Sequence, residues 1–437
     1  MLQSTTRTRL FEGVDGVAVI LYLLIVLAGC LCVTSASSEG VVEDIFSFKH
    51  FYIKQIVWVG VSFVFALLVL LLDSSMFHKW AYVGYGFGIL LLLATLVIGE
   101  EINGAKAWIN LGVMMWQPVE VVKIFTALAM ARLMSEYSFS ISQPSNLVKV
   151  GFLLLLPLFI IILQNDTGSG IVLGSFIFVL YREGLNKWLC IPILAVAALF
   201  IVSFLVSQTA LLVLMILVCT LSEMMMNGEW KSRVIYLSAL FFSSLMLYFL
   251  LWMISPGALS YYASLLIVTL ISGIFVALYA FRTRLTNIYL LMVLFICSLG
   301  FLSTTNVIFE RVLKSHHKDR IEVFLGLKQD LVNTGYNVHQ SKIAIGSGGF
   351  FGKGFMEGTQ IKYGFVPEKH TDFIFCTVGE EWGFLGTMTV LTLFCLLILR
   401  LMRMGERQEE AFGRIYCYCV AAILLFHVMV NVGMTIG

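Results

Sequence analysis

The chain has 437 residues, 59% of them hydrophobic and only 12% charged, with 6 prolines and a mean hydropathy of +0.95. So little polar surface cannot solvate a water-soluble globule, so the composition excludes one and predicts an all-α polytopic helical membrane protein. A formal net charge of +2 says little about partners, because in a bilayer the position of each charge relative to the two faces is what counts; no nucleic-acid partner is expected.

At the N-terminus, Arg7 and Arg9 precede an apolar run from Val17 to Val33 without a convincing small-residue cleavage site. This reads as a first span, not a removable signal. Apolar stretches follow near 52–72, 80–99, 117–134, 149–164, 168–183, 188–206, 208–226, 232–254, 258–280, 284–303, 372–400 and 412–434, which with 14–35 makes about 13 predicted spans. Basic connections around Arg182, Lys231, Arg282 and Arg400 fall on one side if the N-terminus is cytoplasmic. The positive-inside bias then predicts a protein of the cytoplasmic (inner) membrane with the long polar segment 304–371, before the twelfth span, on the outer side. The nine cysteines sit in or beside apolar stretches and predict neither a disulfide framework nor a metal spacing.

Between the third and fifth spans lies a first polar constellation. Pro118 suits the first turn of a helix, and Glu120 and Lys123 then share a face at a three-residue step. The fifth span ends at L-Q-N-D-T-G-S-G, which brings Asp166 to the level of Lys123 and predicts an ion pair between them from adjacent helices. A lone charge at membrane depth costs several kcal/mol, so this pair reads first as structural support; Asp166 as a helix cap is the alternative. Trp108 reads by default as an interfacial anchor.

The segment 304–371 holds nine Lys/Arg against six acids, most simply a solvated face, with attraction of an anionic lipid headgroup as the sharper alternative. Its run from Gly346 to Gly354 is not a Walker motif: Ser347 stands where the first glycine belongs, Gly354 replaces the required Ser/Thr, and no strand–helix unit surrounds it. The glycines, Gly348 and Gly349 among them, are expected to permit tight turns and close approach of the backbone to a bulky ligand.

After the loop, Asp372 is expected to open a helix at the outer membrane boundary, either as a functional carboxylate or as a plain cap. Cys376, Gly379, Gly383 and Gly386 form a narrow small-residue face along it, open to a neighbouring helix or a substrate. Glu380 and Glu381 lie roughly 12 Å deeper, where a carboxylate has to be paired or to face water.

The order of these pieces resembles the SEDS family of polytopic peptidoglycan glycosyltransferases, the group of RodA, FtsW and SpoVE. The resemblance rests on G-A-K-A-W-I at Gly104–Ile109, Q-P-V-E-V-V-K at Gln117–Lys123, L-Q-N-D-T-G at Leu163–Gly168, the stretch Gly335–Gly349, and P-E-K-H-T-D-F-I-F through G-E-E-W-G at Pro367–Gly383. It covers about 14–183 and 284–437, and V-L-K-S-H-H-K-D-R-I at Val312–Ile321 favours the RodA branch. The resemblance implies Asp372 as catalytic carboxylate and Lys123 with Asp166 as the intramembrane pair. It implies a substrate cavity drawing on Trp108, Glu120, Lys342, Gly348, Gly349, Lys353, His370, Glu380 and Glu381. It further implies an inverting polymerisation of the undecaprenyl-pyrophosphate-linked disaccharide-pentapeptide (lipid II) for cell-wall elongation and shape, with Asp372 as general base and a class B penicillin-binding transpeptidase as partner. No cofactor is expected beyond a divalent cation, Mg or Mn, held by a carboxylate; no dedicated metal cage is visible in the sequence. Different in class are a flippase for the same precursor and a non-catalytic scaffold for a transpeptidase.

Two departures from the family pattern stand out. Five apolar stretches occupy 188–303 where one is expected, so 184–283 reads as inserted spans between an N-terminal core (1–183) and a C-terminal core (284–437). The chain also stops at N-V-G-M-T-I-G, where the family continues into a final span, so it reads as truncated.

Overall fold

The computed structural model describes residues 13–37, 51–102, 104–112, 114–186, 199, 202–203, 206–227, 230–254, 260–283, 286–307 and 335–436. Helices dominate: α1 (Gly16–Ser37), α2 (Phe51–Leu71), α3 (Ser74–Ile98), α4 (Pro118–Met134), α5 (Pro144–Leu163), α6 (Thr167–Gly174) and α7 (Phe176–Arg182) come first. They are followed by α8 (Gln208–Asn227), α9 (Trp230–Ile254), α10 (Tyr261–Thr283) and α11 (Thr286–Val307), then by α12 (Tyr336–Ser347), the single turn α13 (Thr359–Lys362), α14 (Ile374–Glu406) and α15 (Ala411–Ile436). Among the described residues eight helices are long and apolar enough to cross a membrane; α4, α6 to α8 and α11 are shorter or less apolar, and most of 188–206 lies outside the described residues.

The chain forms two compact units, Met1–Cys190 with Asp330–Gly437, and Ile191–Gln329. The span expected at 284–303 therefore groups with the inserted spans and not with the C-terminal core, because α11 packs on α8 and α10. Within this second unit α8 to α11 line an apolar cleft of about 1020 Å³, with Thr220, Glu223, Tyr236 and Ser272 among its few polar lining residues.

In the first unit, local chemistry sets the element boundaries. Proline begins α4 and α5, where its missing N–H costs nothing, and the Asp73 side chain accepts from the Ser75 N–H to start α3. Between α3 and α4 the sequence reading placed no strands, yet β1 (Glu100–Ile102), β2 (Ala105–Asn110) and β3 (Met115–Trp116) form a small antiparallel sheet in the order β1-β2-β3. Gly104, with φ +85°, supplies the left-handed turn between β1 and β2. The sheet is tied down by the Lys106 N–H, which donates to the Gln164 carbonyl at the end of α5 (2.8 Å).

The core runs through α3, α4, α5, α7 and α15, with Leu92, Val122, Met130, Ile161, Phe176 and Ile415 at its centre. By contrast α2 buries no residue at all, and Phe65 is 63% exposed. Such a surface suits hydrocarbon as its solvent.

Ion pairs gather at one end of this unit. Arg400 of α14 grips Asp15, just before α1, through bonds of 3.0, 3.0 and 2.7 Å; Arg414 pairs with Glu183 and Arg182 with Glu406. The Arg400 guanidinium holds the Asp15 carboxyl below its ordinary value. At the far end of the same two helices the Ser35 hydroxyl donates to Glu381, so α1 and α14 run antiparallel. The basic connections at Arg182 and Arg400 thus share an end with residue 15.

Candidate functional site

Helix α14 is broken at Gly383 (φ 64°, ψ −159°), and the glycine run fills the break. The N–H groups of Lys353 and Gly354 donate to the carbonyls of Glu380 and Glu381 (both 3.0 Å), while those of Phe384 and Leu385 donate to the carbonyls of Gly349 (2.9 Å) and Phe350 (3.2 Å). A Cβ at Gly348 would strike the Gly379 carbonyl and one at Gly352 the Glu381 carbonyl. The close approach expected of the glycines is thus to a helix of this same chain, which corrects their assignment to ligand contact. Gly349, at φ +58°, is open on its Cβ side. The small-residue face of α14 likewise receives α12 and the loop: Gly379 meets Ile345, and Gly383 meets the backbone at Phe350–Gly352.

Glu380 is the hub of this packing and is completely buried. Its carboxylate accepts from Lys353 Nζ (2.7 Å), Thr359 Oγ1 (3.1 Å), Ser347 Oγ (3.4 Å) and the N–H groups of Gln360 (2.9 Å) and Ile361 (3.0 Å). Glu381, also buried, is held by Ser35. A buried carboxylate is tolerable only with such a partner set. Glu380, Glu381 and Lys353 therefore fasten the loop to α1 and α14, where the sequence reading had them lining a cavity.

Asp372 stands two residues before α14, so it neither opens the helix nor caps it, Phe373 taking the cap position, and it is exposed while Phe373, Phe375 and Cys376 after it are buried. Its carbonyl accepts from the Asn431 side chain of α15 at 3.1 Å. His370, two residues earlier, packs its ring 4.0 Å from that of Phe51. Lys342, on α12, is exposed, and its neighbour Ser341 donates to the Thr435 carbonyl of α15 at 2.9 Å.

The expected Lys123–Asp166 pair is not formed. Lys123, 1% exposed, sits 2.9 and 2.8 Å from the two Glu120 oxygens and 2.7 Å from His427 Nε2. Asp166 instead caps α6, accepting from the Ser169 N–H (3.2 Å) and hydroxyl (2.8 Å) and from Gln117 Nε2 at the head of α4 (2.8 Å). The correction has a simple cause: an N-cap must point along its own helix toward the free N–H groups, and it satisfies the carboxylate there. Half-buried Trp108 faces Glu100 across the strand pair.

Helix α15 joins the two halves of this arrangement. His427 against Lys123 and Asn431 against Asp372 lie four residues apart, hence on one face a turn apart. Neither was singled out from sequence, although a His and an Asn in an otherwise apolar span are a signal of function or of buried pairing. Glu120, His427 and Asp372 are all exposed beside this face, with the Lys123 ammonium beneath. Such a strip offers a carboxylate able to accept a proton and a fixed cation a turn below. Among the described residues no three His, Cys, Asp or Glu are placed to hold a metal ion.

The family model for FtsW/RodA/SpoVE cell cycle proteins matches residues 16–217 and 207–437. The peptidoglycan glycosyltransferase RodA of Treponema pallidum is 29% identical over 430 residues, which is 98% of this chain and 91% of the relative. The peptidoglycan glycosyltransferase MrdB of Escherichia coli K12 is 25% identical over 429 residues, 97% of this chain and 84% of the relative. Among solved structures, RodA of Thermus thermophilus shares the fold at a TM-score of 0.52 with 21% identity, covering 97% of this chain and 86% of that one. A chain from a structure of a peptidoglycan synthase complex, concerned with the coordination of polymerization and crosslinking, aligns at a TM-score of 0.58 with 22% identity, covering 97% and 88%. With residues 16–437 matched by the family model, the chain belongs to the FtsW/RodA/SpoVE family.

Proposed function

We propose that this chain is a peptidoglycan glycosyltransferase that polymerises lipid II at the outer face of the cytoplasmic membrane, in cell elongation, with its N-terminus inside. Family membership and the activity named for its relatives support the class of reaction. The observation that carries the assignment of a site is Asp372, an exposed acid just before α14 and next to buried Phe373.

In this reading the Asp372 carboxylate takes the proton from the acceptor sugar hydroxyl as that oxygen attacks the donor's anomeric carbon, expelling the lipid pyrophosphate with inversion. A base so placed contributes about 10²–10⁴-fold, so positioning and charge neutralisation supply the rest. Exposed Lys342 is a candidate for meeting the departing pyrophosphate. A divalent cation, Mg or Mn, fits only as a companion of the substrate phosphates, a mode that needs just one or two protein carboxylates. The partner in this reading is a class B penicillin-binding transpeptidase, in keeping with the synthase complex among the structural neighbours.

Purified protein supplied with labelled lipid II is expected to yield glycan polymer, and Asp372→Asn, at equal expression and melting temperature, to lose about 10²–10⁴-fold. Movement of the precursor across liposomes without polymer would replace this reading by transport. Polymer made equally well by wild type and Asp372→Asn would remove Asp372 from the chemistry.

A further inference from the structure

Lys123 is among the largest fully buried side chains of the described residues, and its three ammonium protons have three acceptors: the two Glu120 oxygens and His427 Nε2. A 2.7 Å contact between an ammonium and an imidazole nitrogen requires that nitrogen to be an unprotonated acceptor. His427 is then the neutral tautomer with its proton on Nδ1. Addition of a second proton would set two cations face to face and leave Lys123 with Glu120 alone.

The placement of His427 gives this contact a wider role. One turn further along α15, Asn431 holds the Asp372 carbonyl at 3.1 Å, so a single helix face fixes both the buried cation and the segment bearing the exposed acid. We propose that His427 is a positioning residue for the reaction: as a neutral acceptor it seats Lys123 in register with the Asn431–Asp372 contact, and its protonation unseats Lys123 and slows turnover. This rests on the glycosyltransferase reading given above. The charged groups acting on the imidazole are Lys123 and Glu120, both from α4; α15 also packs on α6, α7, α12 and α14, and among the described residues none of these sends a charged group to it.

The test combines a pH–rate profile with a readout that needs no substrate. Wild-type polymerisation is expected to fall on the acid side within about pH 5–8, where imidazoles titrate. His427→Gln, whose side-chain oxygen can still accept from Lys123, should keep most of the rate and lose that limb. His427→Phe, which removes the acceptor, should run about ten- to a hundredfold below the wild-type rate at neutral pH, the worth of one hydrogen bond to a charged group, with the gap closing along the wild-type acid limb. A His427→Phe enzyme as fast as wild type at neutral pH, or an unchanged acid limb in His427→Gln, overturns the proposal.

In the resting protein, the ¹⁵N resonance of the His427 acceptor nitrogen, assigned by its absence in His427→Gln, should move in Lys123→Arg and in Lys123→Met. A resonance indifferent to both overturns the contact itself. Should wild type make no polymer while the resonance still responds to Lys123, the glycosyltransferase reading falls and the Lys123–His427 contact stands.

Discussion

Lys353 and Glu380, 27 residues apart in sequence, meet at 2.7 Å with the carboxylate wholly removed from solvent. Breaking a buried pair by deleting one partner typically costs about 3–5 kcal/mol, because the remaining polar groups are orphaned. Glu380→Ala should therefore release the segment around Gly348–Lys362 and lower the melting temperature in detergent. Limited proteolysis checks it: new cleavage at Lys353 or Lys362 is expected, and unchanged protection would show that the loop is held by other means.

Two glycines of this loop should differ sharply from one just before it. Gly352 has φ +81° and no room for a methyl group, so Gly352→Ala is expected to destabilise by more than about 1 kcal/mol. Gly346 lies inside α12 with nothing within 4 Å of the site of a Cβ, and Gly346→Ala should be neutral or stabilising by about 0.5–1 kcal/mol. Gly348→Ala should behave like Gly352→Ala, since its Cβ would strike backbone. Thermal unfolding of the three variants decides the matter.

Because Lys123 and Asp166 have separate partners, their substitutions should not be coupled. A double-mutant cycle with Lys123→Met and Asp166→Ala is expected to be additive within about 0.5 kcal/mol, while one with Lys123→Met and Glu120→Gln should show coupling of about 0.5–3 kcal/mol. Asp166→Ala alone should cost about 1 kcal/mol as a lost cap. Strong coupling between Lys123 and Asp166 would mean that the two meet in solution.

The Asp15–Arg400 contact makes an acid-sensitive element. The Asp15 pKa is lowered, chiefly by its hydrogen bonds from Arg400. Its contribution to stability is therefore full above the unfolded-state value of about 4 and is lost as pH falls through the lower folded-state value. Asp15→Asn should reduce the melting temperature at neutral pH and flatten its decline on acidification below about pH 4. A parallel decline in both proteins would exclude the pair as the cause.

Much of this architecture was legible in the chain. Apolar run length located α1, α2, α3, α5, α14 and α15, because hydrocarbon thickness dictates how many residues a span needs. The small-residue stripe of α14 was legible as far as Gly379 and Gly383, four residues apart; the break at Gly383 turns Gly386 away from it, toward Trp382. What fills the stripe was not: a distant glycine loop leaves no periodic trace of its partner. The partner of Lys123 was misread for a related reason. Depth along a helix follows from counting, but rotation about the helix axis is set by packing, so two charges at one level need not face each other. His427 could have been weighed as a partner from its place in an apolar span alone. The short strands β1 to β3 escaped notice because only two to six residues, rich in ordinary turn-formers nearby, carry them.

The break in α14 has a mechanical consequence. Main-chain groups that an unbroken helix would keep for itself are lent to the glycine loop through four cross-segment bonds. Prising the loop away would strand those donors and acceptors in a setting where each unmade bond costs several kcal/mol. This seam is bolted shut, and any opening in this part of the molecule has to swing on other hinges.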